Sequence, residues 1–202
     1  NMDITLVEKE GIRQEQLGLE GKINAHKLYT ACIDSIPKEY SKGFAYMRGL
    51  MRFRIWNIEK IFGLNEKYFS QAGQDKFVYD NFFKEKKSGY FLEIGAHDGI
   101  QGSNCLFFEK FKNWNGLAIE PSSTQFEKLK RNRKCKIINK AASAVSGKMT
   151  FIEIDSSSSD SQLSGLEKYY PDKSQSVLKK NNLKKYMVEV LTFDEILKNV
   201  DK

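Results

Sequence analysis

The sequence predicts a doubly wound α/β fold with a mostly parallel sheet over most of its length, and three observations carry that expectation. Short apolar runs alternate with amphipathic segments from about residue 69 onward. The first run, Gly89-Tyr90-Phe91-Leu92-Glu93-Ile94, ends in the turn Gly95-Ala96-His97-Asp98-Gly99. A second, Leu117-Ala118-Ile119, ends on an acid, Glu120, twenty-one residues beyond Gly99. Open α/β sheets bind their ligands outside the carboxyl ends of such strands.

The elements follow in order. The first twenty-five residues are polar and show no clear period, apart from a short amphipathic piece near Ile12 and Leu17. From Ser41 the texture changes: Phe44, Met47, Met51, Ile55, Ile58 and Phe62 fall at steps of three and four, with Arg48, Arg52, Arg54 and Lys60 largely opposite. Gly63 then supplies a left-handed cap, so the spacing predicts a helix over 41–62. Residues 1–68 read as a helical extension and 69–202 as the core.

Within the core, Asp75 to Phe83 predicts a helix, with Val78 and Phe82 paired at i, i+4. The strand 89–94 is followed by a helix carrying Leu106, Phe107 and Phe111, with Ser103 as its cap. Asn115-Gly116 predicts a turn and 117–119 a buried strand. Ser122 with Gln125 forms a capping box for a helix through Phe126 and Leu129. Cys135 to Ile138 predicts a third strand, and Met149 to Ile154 a fourth, with Ser146-Gly147 as its turn. A serine-rich loop, 155–165, leads to a solvated insertion, 168–185, of lysines interleaved with tyrosines. Val188 to Val190 predicts a strand and Phe193 to Leu197 a helix capped by Thr192.

Composition narrows the function classes. Hydrophobic residues make up 40% and charged residues 29%, which fits a folded chain and excludes a disordered one. The surplus of 33 basic over 26 acidic residues gives +7, but the lysines are interrupted by acids and do not form a nucleic-acid arm. No apolar run approaches the roughly 20 residues that span a bilayer. Cys32, Cys105 and Cys135 are odd in number and lack metal spacing, which predicts reduced thiols, a cytoplasmic location and no metal site.

The chemistry centres on the glycine turn. Gly95 and Gly99 let backbone approach a ligand, and Glu120 is placed to accept hydrogen bonds from a ribose diol. An adenosine-type ligand across the first two strands is therefore expected. A dinucleotide fingerprint needs three glycines, and this register supplies Gly95, His97 and Ile100, which disfavours a nucleotide-dependent oxidoreductase. Glu93, two residues before Gly95, suits a ligand with a cationic amino-acid end and no phosphate, as in S-adenosylmethionine.

Several segments in consistent order extend the pattern: Ser70-Gln71-Ala72-Gly73-Gln74-Asp75, Gly89 to Gly99, Ser103-Asn104, Trp114 to Pro121, Asn139 to Ser143 and Val190 to Leu197. Over about residues 69–199 they resemble the FkbM family of methyltransferases. The resemblance implies a Rossmann-like, class I enzyme that uses S-adenosylmethionine, typically to O-methylate a hydroxyl on a sugar, glycan or natural product. Glu93, Gly95, Ala96, Asp98 and Gly99 would surround the methionine end of the cofactor. Ser103 and Asn104 would meet its carboxylate, Glu120 and Pro121 its ribose, and Ala141 and Ala142 its adenine. Gln74 and Asp75 would roof the pocket, and His97 is a candidate base or a turn filler. The catalytic base itself is not assigned.

Members of that family continue past the Thr-x-Asp-Glu-Ile-Leu helix into further strands, whereas this sequence stops at Lys202, so a C-terminally incomplete core is expected. The N-terminal helices would pack on the sheet or mediate a homodimer. The competing reading is a non-catalytic module that binds nucleic acid or acidic glycan through the Lys/Tyr segment 168–186.

Overall fold

The computed structural model describes residues 4–38, 41–171 and 175–200. The chain divides into two compact units, Asn1–Val78 and Tyr79–Lys202.

The first unit is helical: α1 (Ile4–Glu15), α2 (Gly18–Ser35), α3 (Lys42–Ile61) and the short α4 (Gln74–Val78). The first two helices occupy the stretch where the sequence shows no period. The buried positions of α2 are Gly21, Ala25, Tyr29 and Cys32, a narrow stripe at steps of four, four and three. Two small residues, one cysteine and one tyrosine make that stripe, which is too weakly apolar to stand out from its polar surroundings. Tyr29 is enclosed because Gly11 of α1 lacks a side chain; a Cβ there would lie 2.3 Å from the ring. Its hydroxyl donates to Glu15 Oε1 at 2.5 Å, and burial pushes the phenol pKa up.

Helix α3 falls where the spacing predicts it. Ser41 Oγ accepts from the Phe44 N–H at 3.0 Å. At the other end Leu64 N–H bonds to Glu59 O at 2.9 Å and Gly63 N–H to Lys60 O at 3.1 Å, with Gly63 at φ 70°. That pair of bonds closes the last turn through a left-handed glycine. Met51 and Ile58 are buried as expected, while Phe62 is 37% exposed beyond the helix. Trp56 is also buried, against Gly73.

The second unit begins with a π-helical turn, Tyr79–Phe83. Three parallel strands, β1 (Tyr90–Ile94), β2 (Asn115–Ile119) and β3 (Lys136–Ile138), form one sheet in the order β1-β2-β3. Between them lie α5 (Leu106–Lys112) and α6 (Ser123–Asn132). The expected turn at Asn115-Gly116 is instead strand, paired with Tyr90 and Phe91. The chain reverses two residues earlier, at Asn113, which takes φ 55°. Gly116 serves the packing: a Cβ would sit 2.3 Å from the Phe91 ring.

A second sheet of β4 (Ala141–Ala142), β5 (Gly147–Ile154), β6 (Gly165–Leu166) and β7 (Leu183–Leu191) has the order β4-β7-β5-β6. Only β4 and β7 run parallel; β5 is antiparallel to both neighbours. The expectation of a mostly parallel sheet therefore holds for the first sheet and not for the second. The reason is the return of the chain beside β5, in register from Ile154↔Leu183 to Gly147↔Val190. Residues 151–154 are buried without alternation. Lys184, Lys185 and Tyr186 are ladder residues of β7, not members of a solvated insertion; α7 (Gln175–Lys180) lies within the expected insertion, and residues 172–174 of it lie outside the described residues. The final helix, α8 (Phe193–Leu197), carries a complete capping box between Thr192 and Glu195. Leu117, Ile119 and Ile196, with Leu92, Ala142 and Leu191 packed on them, form one core shared by the two sheets.

Candidate functional site

The turn after β1 is held from both sides. Gly95 and Ala96 donate backbone N–H bonds to Ile119 O at 2.9 and 3.0 Å, which carries the chain onto the end of β2. Asp98 Oδ1 accepts from the N–H groups of Ile100 and Gln101 at 2.9 and 2.8 Å, folding the turn back on itself. Gly95, His97 and Gly99 all take positive φ, at 75°, 51° and 83°.

The two glycines do different things. A Cβ on Gly95 would meet nothing within 4 Å, so its face is open. A Cβ on Gly99 would lie 2.7 Å from both Arg133 Cγ and Leu129 Cδ1. Gly95 fits the expected role of close approach to a ligand; the missing side chain of Gly99 makes room for an internal arginine.

That arginine is not legible in the sequence, where it sits inside a basic run at the close of α6. Arg133 Nη1 reaches Glu93 Oε2 at 2.6 Å, and its Nε reaches Glu109 Oε2 at 2.7 Å. Glu93 Oε1 accepts from Ser103 Oγ at 2.7 Å and from Asn104 N–H at 3.0 Å. Ser103 Oγ in turn accepts from Leu106 N–H at 3.0 Å, the cap expected of it. The structure thus places Glu93, Ser103 and Asn104 together, as the sequence groups them, but aims them at one another and at Arg133.

Glu120 stands at the end of β2. Its Oε2 accepts from the His97 N–H at 2.7 Å and its Oε1 from the Ser122 N–H at 2.8 Å. Asn139 Nδ2 donates to the carbonyls of Glu120 and Pro121 at 2.8 and 3.2 Å. Burial pushes the Glu120 carboxyl up to about 7, and the neighbouring Glu153 charge adds to the rise. Ser122 Oγ accepts from Gln125 N–H, as expected. The reciprocal bond from Gln125 is absent because Glu120 already takes the Ser122 N–H. Ser122 Oγ also donates to Glu153, whose other oxygen accepts from Tyr186 at 3.2 Å. Burial pushes the Tyr186 phenol up to about 12.

A cleft of about 270 Å³ opens at the carboxyl ends of β1, β2 and β4. Ile94, Gly95, Ile119 and Pro121 form one side, Lys140, Ala141 and Ala142 the next, and Phe151, Leu166 and Tyr169 the far wall. Ala141 and Ala142 belong to a strand of their own beside β7 and do not continue β3. The cleft collects Gly95, Pro121, Ala141 and Ala142 from the expected site residues. Ala96 is buried beneath the turn, and Gln74 is exposed in the first unit, its Oε1 accepting from Ala72 N–H at 2.8 Å. Asp75 is a cap, accepting from the N–H groups of Phe69 and Ser70 at 2.7 and 3.2 Å and from Ser70 Oγ at 2.5 Å. Lys140, Phe151, Leu166 and Tyr169 escaped the sequence reading; only the tyrosine's place beside a serine-rich loop hinted at a site.

The His97 ring nitrogens are buried without a hydrogen-bond partner among the described residues, and Nδ1 is 3.7 Å from Asp98 Oδ1. Burial pushes the imidazole pKa down, so the ring is neutral. Among the described residues no group of three or more His, Cys, Asp or Glu side chains is placed to hold a metal, and no helix is long and apolar enough to cross a membrane.

A family model described as the methyltransferase FkbM domain matches residues 93–202. No curated protein and no solved structure matches the chain. The matched region begins at Glu93, takes in the glycine turn, Glu120 and the whole of the cleft, and covers more than half of the sequence. The chain belongs to the FkbM methyltransferase family.

Proposed function

We propose that the protein is an S-adenosylmethionine-dependent O-methyltransferase acting on a hydroxyl of a sugar, glycan or natural product, in the cytoplasm. The observation that carries this reading is the open face of Gly95 at the mouth of a cleft whose other near walls are the small residues Ala141 and Ala142. A planar base needs that absence of bulk, and a Cβ-free backbone lets a ligand lie against the turn.

The residues fit such a cofactor. Glu120 spends one lone pair of each carboxylate oxygen on a backbone N–H, and each oxygen keeps a second for a ribose hydroxyl. Glu93 reads differently from the expectation: its charge is balanced by Arg133, so its work is to hold the turn in shape while the turn's backbone faces the ligand. When bound, the cofactor supplies an electrophilic methyl group on sulfonium. The chain's contribution is alignment, because bringing an acceptor oxygen into line is worth a large share of the barrier, about 7–11 kcal/mol in well-oriented cases. The turn after β1, bonded to Ile119 O at the end of β2, and the wall of Phe151, Leu166 and Tyr169 provide two sides for that alignment.

The competing nucleic-acid or glycan module draws less support. Lys180 is paired with Asp160 at 2.8 Å and Lys185 with Glu167 at 2.5 Å, so part of the segment's charge is spent internally. Calorimetric titration of the chain with S-adenosylhomocysteine tests the proposal. Stoichiometric binding, weakened by Gly95→Val, is the expected result; no binding to the folded chain overturns it.

A further inference from the structure

A second cavity, of about 340 Å³, adjoins the cleft and shares Gly165, Leu166 and Tyr169 with it. Its remaining lining, Leu163, Tyr170, Pro171 and Val177, comes from the excursion between β5 and β7 and from α7. The volume lies within the range of small-molecule sites, about 300–1,000 Å³.

Among the described residues the lining carries no charged side chain. Its two phenols are already engaged: Tyr170 donates to Leu163 O, and the Tyr169 hydroxyl shares a hydrogen bond with Ser143 Oγ at 2.8 Å. With their hydroxyls tied back, both tyrosines offer ring rather than oxygen to a bound molecule. Tyr169 is 51% exposed and Leu163 is 52% exposed, which leaves an apolar platform facing outward. Ring faces attract other aromatic rings and the C–H faces of saturated rings; they repel a carboxylate or a phosphate, and none of the described lining residues is a cation.

We infer that this cavity is the acceptor subsite, and that it takes an uncharged ring with one apolar face and a hydroxyl on its rim. The inference rests on the proposed cofactor cleft. Tyr169 is the wall common to both cavities, so a ring seated in the outer one presents its rim towards the inner one. Sugars and aromatic alcohols share this chemistry. Acidic glycans and phosphorylated acceptors do not.

The experiment uses the whole chain with S-adenosylhomocysteine bound and 4-nitrophenyl β-glucoside as the ring probe, followed by saturation-transfer NMR. Methyl β-glucoside and benzyl alcohol, tested separately, show whether the sugar or the aromatic ring is taken. Tyr170→Ala and Val177→Trp, which touch only the outer cavity, are expected to weaken the probe by about fivefold to tenfold, the loss of one ring contact or of its space. S-adenosylhomocysteine affinity should stay within about twofold, because neither residue lines the cleft. Leu163→Ala, at an exposed position, provides a milder variant should either of these fail to fold. If S-adenosylhomocysteine binds and the probe shows no transfer, or binds wild type and all three variants alike, the subsite is overturned while the cofactor reading stands. If S-adenosylhomocysteine itself does not bind, the cofactor reading falls and takes the subsite with it.

Discussion

Arg133 and Glu93 form a buried ion pair at 2.6 Å beneath the glycine turn, with the arginine side chain fully enclosed and the glutamate 9% exposed. The same guanidinium is tied to Glu109 and stands over the Phe91 ring at 5.3 Å. One arginine from the end of α6 thereby couples the end of β1, the Gly99 turn and α5.

Deleting one member of such a pair strands the other charge away from water. Arg133→Met is expected to lower the unfolding free energy by about 3–5 kcal/mol in urea denaturation, with part of the loss recovered when Glu93→Gln is added. A loss under about 1 kcal/mol would place the pair in the weak class of surface salt bridges instead.

The two glycines of the turn separate stability from binding. Gly99→Ala meets both a left-handed backbone and the side chains of Leu129 and Arg133. It should cost about 2–4 kcal/mol in thermal or urea unfolding, summing backbone strain and overpacking. Gly95→Ala meets only the backbone penalty, about 1–2 kcal/mol. Its larger effect should appear in S-adenosylhomocysteine titration, where a methyl group enters the ligand's path.

Glu120 makes stability depend on pH with an unusual sign. Its carboxyl rises from 4.5 to about 7 on folding, so between those values the folded state holds the proton and the unfolded state has lost it. Stability from this group is full below about pH 4.5 and declines as pH rises through about 7. Denaturation midpoints measured from pH 5 to pH 8 should show that decline, and Glu120→Gln should flatten it while lowering the whole curve, because an amide cannot accept from both backbone N–H groups. S-adenosylhomocysteine affinity should move the other way, strengthening as the carboxylate ionises.

Asp75 accepts from the N–H groups of Phe69, Ser70 and Lys76 and from the Ser70 hydroxyl at the start of α4. Asp75→Ala removes the carboxylate that three backbone N–H groups and a hydroxyl share and should destabilise the first unit by about 2–3 kcal/mol. The check is limited proteolysis within residues 69–78 alongside equilibrium unfolding.

What the sequence disclosed follows from how each signal arises. Helix α3, strands β1 and β2 and the capped helices announce themselves because one face is continuously apolar or because a cap has a fixed chemistry. Helices α1 and α2 stay hidden because Gly11, Gly21 and Ala25 act by being small, and smallness carries no periodic apolar signal. The mixed second sheet stays hidden because direction depends on how the chain returns, not on the residues in a strand. At the site, Glu120 and Gly95 are legible from their places at strand ends. Arg133 is not, since forty residues separate it from Glu93 and its neighbours Arg131 and Lys134 make it look like a solvated charge. The position of Glu93 at the end of β1 is legible, while its pairing with Arg133 is not.

The register of β5 against β7 has one more consequence. Ile154 and Leu183 face each other as the last ladder pair, and Asp155 N–H still bonds to Asn182 O at 3.1 Å. Between Ile154 and Leu183 the described residues touch the sheet again at Gly165–Leu166, as β6 beside β5, before the chain returns to β7. Chain-closure entropy grows only slowly with length, about 0.6 kcal/mol per doubling, so the connections on either side of β6 can be lengthened with little penalty to the sheet. Leu163, Tyr170 and Val177 of the outer cavity sit on this segment, and so do Leu166 and Tyr169 of the cleft, so a change in the segment reshapes both cavities together while the walls from β1, β2 and β4 stay in place.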